Sequence, residues 1–243
     1  MLEPFSESIW TASTPVRFAG VWFPHVMTIV RLASGTLLLH SPCRSSGVLI
    51  GEIAALGTVS DVIAPNWFHD LYLAEYRRLY PKARFWAPGF LQRRRKRIID
   101  ADLDGGVPPW FEELPYTSLR GLMTFDECIF FHGASKTLIV ADLLMSYRVA
   151  PRMPWYTQFA GRLFGLDGTL KTFQLLWFLT GRNRTILRGA ARWMIACDPK
   201  GLIVGHGEPV KGEISSQLRR AFRWLDLDRA WPPPASHRQS SRT

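Results

Sequence analysis

Cysteine is scarce in this chain and nowhere closely spaced: Cys43, Cys128 and Cys197 lie far apart and form no Cys-x-x-Cys pair. An odd set at such spacings argues against both a disulfide framework and a structural zinc knot. It fits a reducing compartment, and a cytoplasmic location is expected. Long apolar runs are missing too. The most hydrophobic stretch, 159–179, is broken by Arg162, Asp167 and Lys171, so no transmembrane segment is expected. The opening residues, Met1 to Glu7, show neither a basic start nor an apolar core, so a secretory signal is not expected. No repeat recurs at a solenoid period, and neither a zinc-finger spacing nor the aromatic signature of an RNA-recognition sheet occurs. Sequence-specific base reading is thereby disfavoured. Acidic residues are in the minority, 20 against 30 Lys and Arg, which leaves a net charge of +10.

That charge favours anionic partners: nucleic acid, anionic lipid or phosphorylated substrates. It is concentrated in the block Arg93 to Arg97 and in a scatter from Arg182 to Arg229. A solvated face is the plainer reading of both. The hydrophobic fraction, 47% of 243 residues, supplies a substantial core. Strands are expected at Ile9–Thr11, Met27–Leu32 and Thr36–Leu39, the last two joined by a turn at Ser34-Gly35. Further strands are expected at 61–66, Arg84–Ala87, Phe125–Phe131, Thr137–Leu144 and Gly201–Val204. Helices are expected at Ser46–Leu56, from Leu71 to Tyr80, and at Glu213–Leu227. Aromatics from Trp155 to Trp177 recur at helical spacing, and residues 155–194 read as a helical insertion or cover. The whole fits one layered α/β or α+β domain over residues 1–230, with a disordered tail at 231–243.

Several apolar runs end on a residue able to bind a metal or move a proton. Leu37 to Leu39 ends at His40, and Val62 to Ala64 leads into Asn66-Trp67-Phe68-His69-Asp70. Ile129 to Phe131 ends at His132, Leu138 to Ala141 ends at Asp142, and Leu202 to Val204 runs into Gly205-His206-Gly207. Polar groups at consistent strand ends are how sheet-based enzymes assemble a site from distant segments.

The segments Pro65 to Asp70, Lys136 to Leu144 and Gly201 to Pro209, in that order, resemble the metallo-β-lactamase superfamily over roughly residues 5–227. The strand Thr28 to Leu32, then Gly35 to Leu37 and His40-Ser41-Pro42, resemble a branch of unknown function within it. The resemblance implies a four-layer αββα sandwich with a metal centre at one sheet edge. In active members zinc or iron lowers the pKa of a bound water, and the hydroxide attacks an ester, thioester, lactam or phosphodiester. The ligand motif His-x-His-x-Asp-His is largely lost here. Asn66 falls on its first His, Phe68 on its second, Asp70 on its Asp and Leu71 on its last His. Asp142 matches a bridging Asp and His206 the final His, while His69 and His132 are recruits near the motif.

The resemblance thus implies one zinc, iron or manganese ion held by Asp70, Asp142 and His206, with help from His69 or His132. Asp70 is the expected catalytic residue, with Asn66 and His40 as substrate-binding residues and a small molecule as substrate. The alternative is a metal-free descendant that binds a ligand or protein, in which Phe68 and Leu71 fill the old site. Docking on an anionic membrane surface or nucleic acid is a third reading. Each residue also has a plainer role: His40 and His132 as hydrogen-bonded core histidines, Asp142 as a cap, His69-Asp70 as a helix start, His206 as a partner for strand-end backbone.

Overall fold

A computed structural model describes residues 1–18, 21–120, 126–149, 155–156, 158–159, 167–172 and 184–228. The expected tail at 231–243 and nearly half of the expected cover at 155–194 lie outside the described residues.

The chain opens with β1 (Glu3–Ser6) and a long antiparallel pair, β2 (Ile9–Phe18) and β3 (Val21–Arg31). Both strands are longer than the expected Ile9–Thr11 and Met27–Leu32, and they run through Pro15 and Pro24. The two prolines face each other across the ladder, beyond the reach of β1, so no further strand needs the missing Pro15 N–H. The turn between β3 and β4 (Leu37–His40) forms as expected, with Gly35 at φ +81° and its N–H bonded to the Leu32 carbonyl. Next come α1 (Gly47–Leu56), β5 (Val59–Ile63), a 3-10 turn (Trp67–His69), α2 (Leu73–Leu79), β6 (Arg84–Ala87), α3 (Gly89–Arg94) and β7 (Ala101–Asp102). Ser46 caps α1 by accepting from the Leu49 N–H at 3.2 Å. Strands β4 to β7 run parallel, so their C-terminal ends share one edge of a seven-stranded sheet, β1-β2-β3-β4-β5-β6-β7.

A second, five-stranded sheet has the order β14-β13-β10-β9-β8. It is built from β8 (Tyr116–Leu119), β9 (Glu127–His132), β10 (Thr137–Val140), β13 (Gly201–Val204) and β14 (Val210–Lys211). Short β11 (Leu144–Met145) and β12 (Lys171–Thr172) pair separately. Helices α4 (Arg184–Ala196) and α5 (Ile214–Ala221) cover this sheet. The amphipathic helix expected to reach Leu227 is shorter. It gives way to a 3-10 turn at Arg223–Leu225, and Asp226 takes φ +50°. Buried Arg188 on α4 donates to the Leu225 carbonyl at 3.0 Å and the Asp226 carbonyl at 3.1 Å, holding this turn against α4.

Three apolar layers follow from strand alternation. Inward residues Leu38, Ile63 and Trp86 meet Cys128, Phe130, Ile139 and Ile203 between the sheets. Outward Leu37, Leu39, Val62 and Phe85 pack under α1, α2 and α3, while Leu138, Val140, Leu202 and Val204 pack under α4 and α5. Both sheets are therefore buried on both faces, and the architecture is the αββα sandwich that the resemblance implied. Among the described residues no helix is long and apolar enough to cross a membrane.

One polar group is set deep in this core. Asp61 on β5 accepts from the indole N–H groups of Trp86 at 2.7 Å and Trp110 at 3.2 Å. Asp61→Ala should strand two buried donors and lower unfolding free energy by about 2–3 kcal/mol. Chemical denaturation followed by tryptophan fluorescence checks this; an unchanged midpoint would contradict it.

Candidate metal centre

The two sheets bring their strand ends together at one edge. The Cys128 N–H donates to the Pro65 carbonyl at 3.0 Å, and the Val26 N–H to the Gly205 carbonyl at 2.9 Å. Between these tie points the ligand atoms of His69, Asp142 and His206 all lie within 4.8 Å of one another. Asp142 sits centrally: its Oδ2 is 3.3 Å from His69 Nε2 and its Oδ1 is 3.1 Å from His206 Nε2.

Each of the three is held from behind. His206 Nδ1 is 2.7 Å from the Pro24 carbonyl, which can only accept, so Nδ1 carries the proton and Nε2 turns to Asp142. Ser41 Oγ makes a short hydrogen bond to His69 Nδ1. A hydroxyl both donates and accepts, so Ser41 supports either tautomer of His69. Ser41 follows the end of β4 with φ +58°, an uncommon conformation for a side chain-bearing residue, and this aims its hydroxyl at His69. Asn66 caps the 3-10 turn, its Oδ1 accepting from the Phe68 and His69 N–H groups, while its Nδ2 donates to Asp142 Oδ2 at 2.7 Å. Glu127, buried at the start of β9, accepts from the N–H groups of Ala141, Asp142 and Leu143 at 2.8–3.0 Å, fixing the turn that presents Asp142.

The glycines around His206 permit the approach. A Cβ at Gly205 would fall 2.7 Å from His69 Cε1 and 2.8 Å from the Ala141 carbonyl oxygen. Gly207 takes φ +142° beside Ser146.

Electrostatics follow from burial and crowding. Burial opposes the charge on Asp142, but the neighbouring His69 and His206 outweigh it and hold the carboxyl well below its usual range. Burial also opposes a charged His206, yet the hydrogen bond and charge of Asp142 raise its pKa above the ordinary value. Burial, followed by the Asp142 charge, pushes Glu127 upward.

The expected residues divide clearly. His69, Asp142 and His206 are brought together. Asp70, one residue beyond, turns away and accepts from Arg95 Nε at 2.8 Å, because the 3-10 turn sends successive side chains in different directions. His132 bonds to Ser135 at 2.7 Å in the β9–β10 hairpin, at the far end of β10 from Asp142. His40 lies between the sheets against Phe130, with both ring nitrogens unpartnered, and burial lowers its pKa to about 3. Neither it nor Asn66, which is 2% exposed with its amide fully engaged, faces an incoming molecule. Phe68 packs on the core under the second sheet, but Leu71 is 57% exposed and fills nothing.

Three residues escaped the sequence reading. His25, on the overhanging part of β3, has its ring centroid 4.7 Å from that of His69 and 6.0 Å from that of His206. Its Nε2 lies 3.1 Å from the Pro42 carbonyl, and burial together with the two other histidines keeps its pKa well below normal. Only the length of the β2–β3 hairpin places it here. Ser41 and Glu127 left faint signals: a hydroxyl directly after a strand-end His, and a lone carboxylate opening the apolar run Cys128 to Phe131.

Residues 6–164 match the family model described as "Domain of unknown function (DUF4336)". Among curated proteins, no sequence match is found. Solved structures share the fold at low identity. A metallo-β-lactamase from Pontibacter korlensis is 14% identical, with 93% of this chain and 98% of that one aligned at a TM-score of 0.61. The Flv1 flavodiiron core from Synechocystis is 13% identical over 93% of this chain and 60% of that one, at 0.64. The chemotaxis sensor ODP, solved as a peroxy diiron species, is 11% identical over 93% and 94%, at 0.58. These likenesses establish the metallo-β-lactamase fold.

Two substitutions separate architecture from site. Glu127→Ala should leave three adjacent backbone N–H groups buried without a partner and destabilise the protein by at least about 3 kcal/mol. His40→Leu, which removes two unpartnered polar atoms from an apolar layer, should raise stability by about 1–2 kcal/mol. Thermal and denaturant melts of both variants check the opposite signs.

Proposed function

The chain belongs to the family described as Domain of unknown function (DUF4336), and from that premise we propose that it is a divergent metal-dependent hydrolase with a single-ion centre. The ligands are His69, Asp142 and His206. The observation that carries this reading is His69 Nε2: buried, without a hydrogen-bond partner, and directed at a carboxylate that His206 faces from the other side. Two imidazoles and one carboxylate form a donor set that suits zinc, iron or manganese and leaves coordination positions for water and substrate. When bound, such an ion supplies Lewis acidity and a hydroxide nucleophile at neutral pH toward an ester, thioester or phosphodiester.

The protein's own groups prepare that centre. The Pro24 carbonyl fixes the His206 tautomer so that Nε2 is the free nitrogen, the arrangement that outer contacts impose on metal-binding histidines. Ser41 sets the plane of the His69 ring, and Asn66 holds one oxygen of Asp142. Asp142 keeps its charge despite burial, so a carboxylate faces both imidazoles. Asp70, committed to Arg95, takes no part. We also assign residues 1–230 to one domain and the chain to the cytoplasm, the latter in keeping with three free thiols.

A second reading has its own support. Asp142 already receives Asn66 and His206, so the polar cluster closes without an ion, and the fold could serve as a metal-free binding module.

Elemental analysis of protein purified without chelator or His-tag decides between them. The proposed reading expects about one equivalent of zinc, iron or manganese. His206→Ala and Asp142→Ala should each weaken metal binding by more than the roughly 10–100-fold typical of outer-contact changes, with folding retained. Absence of metal from the wild type after reconstitution would decide for the metal-free module.

A further inference from the structure

The block Arg93 to Arg97 emerges at the same sheet edge as the metal centre and is packed on the turn that carries His69. Arg95 Nε binds Asp70, the residue after His69, at 2.8 Å. The Arg94 guanidinium lies 4.4 Å from the centroid of Trp67, two residues before His69, and 5.5 Å from that of Phe90. All five basic side chains are exposed. A solvated helix face would normally interleave acids with the bases. Here Asp70 neutralises Arg95 alone, and among the described residues Arg93, Lys96 and Arg97 make no ion pair. Arg44, exposed and three residues beyond Ser41, adds charge where the preceding parallel strand exits. Glu75, the acid nearest in sequence on α2, is occupied by the Ser45 N–H and hydroxyl.

We propose that this basic rim holds the backbone of a single-stranded nucleic acid across the metal centre, so that the substrate class is a phosphodiester. The hydrolytic part rests on the metal-dependent reading above; the binding part does not. With Arg95 neutralised, the four remaining exposed cations of the block exceed what one phosphate can use, which argues for a repeating polyanion. A bilayer is the competing anionic surface: Phe90, Leu91, Ile98 and Ile99, the apolar neighbours of the block in sequence, are wholly or partly buried, Leu71 beside Asp70 is 57% exposed, and the vesicle arm of the test separates the two. Base-specific contacts are not required, since neutralising backbone phosphates supplies sequence-independent binding. In the reaction, water oxygen bonds to phosphorus while the bond from phosphorus to one sugar oxygen breaks. The proton released from water ends on that departing oxygen.

The test is fluorescence anisotropy of the full chain with a labelled oligothymidylate, in chelator, across about 50–200 mM salt. Wild type should bind with affinity falling steeply with salt. R93E/K96E/R97E, checked for folding by thermal melt, should lower the log–log salt slope by about two and affinity at least about tenfold. R93Q/K96Q/R97Q should fall between them. Absence of salt-dependent binding, unchanged affinity in both variants, or displacement of the oligonucleotide by phosphatidylserine vesicles would overturn the proposal. Binding is measured without metal and cleavage with it. Retained binding with no cleavage would therefore overturn the phosphodiester assignment while leaving the metal content to its own assay.

Discussion

The architecture of the site depends on one buried carboxylate. Glu127 opens β9 in the second sheet and gathers three consecutive backbone N–H groups from the turn after β10. Those groups have no helix or strand to satisfy them, so the carboxylate replaces a ladder that the chain has abandoned in order to turn. The turn fixes Asp142, and the residue after Glu127 donates to the Pro65 carbonyl of the other sheet. One acidic side chain thus sets the turn, the position of the cluster's central carboxylate and, through its neighbour, the join between the sheets. Asn66 completes the join by spanning from the 3-10 turn to Asp142.

A cluster of potential metal ligands can form despite extensive loss of a motif when the geometry is carried by the sheets instead of by one loop. Phe68 and Leu71 cannot bind an ion, and Asp70 is taken by Arg95. Yet His69 reaches the shared edge because the 3-10 turn, capped by Asn66, rotates its ring toward Asp142. His206 arrives from a strand parallel to β10, which guarantees that both strands end on the same side. Glycine on either side of His206 admits the close packing of His69 and Ser146. The site is therefore a product of strand direction and backbone clearance as much as of ligand identity.

Charge is distributed with the same directional logic. The parallel strands β4, β5 and β6 deliver Arg44, the His69 turn and the Arg93 to Arg97 block to one edge in succession. Asp70 is paired with Arg95, and among the described residues Arg93, Lys96 and Arg97 make no ion pair, so the edge keeps an excess of positive charge beside the cluster. Such a field draws anions toward the centre.

The sequence by itself determined the layered fold. Apolar runs at β4, β9, β10 and β13, flanked by turn residues, specify strands buried on both faces, while which of Leu37, Leu38 and Leu39 faces the other sheet is set by the fold. It also pointed to Asp142, which directly follows such a run, and to His206, which follows one after a single glycine. Tertiary structure decided the rest. Which of His69 and Asp70 faces the cluster depends on a 3-10 turn, and a one-residue change there redirects a side chain by roughly a third of a turn. Whether His132 joins depends on which end of an antiparallel hairpin it occupies, and periodicity carries no information about that. His25 is invisible to any local pattern: it enters through a hairpin that overhangs the sheet, more than 40 residues before His69 in sequence but 4.7 Å away between ring centroids. Local chemistry fixes which residues can form strands and turns, whereas proximity between segments so distant is set only when the two sheets close upon each other.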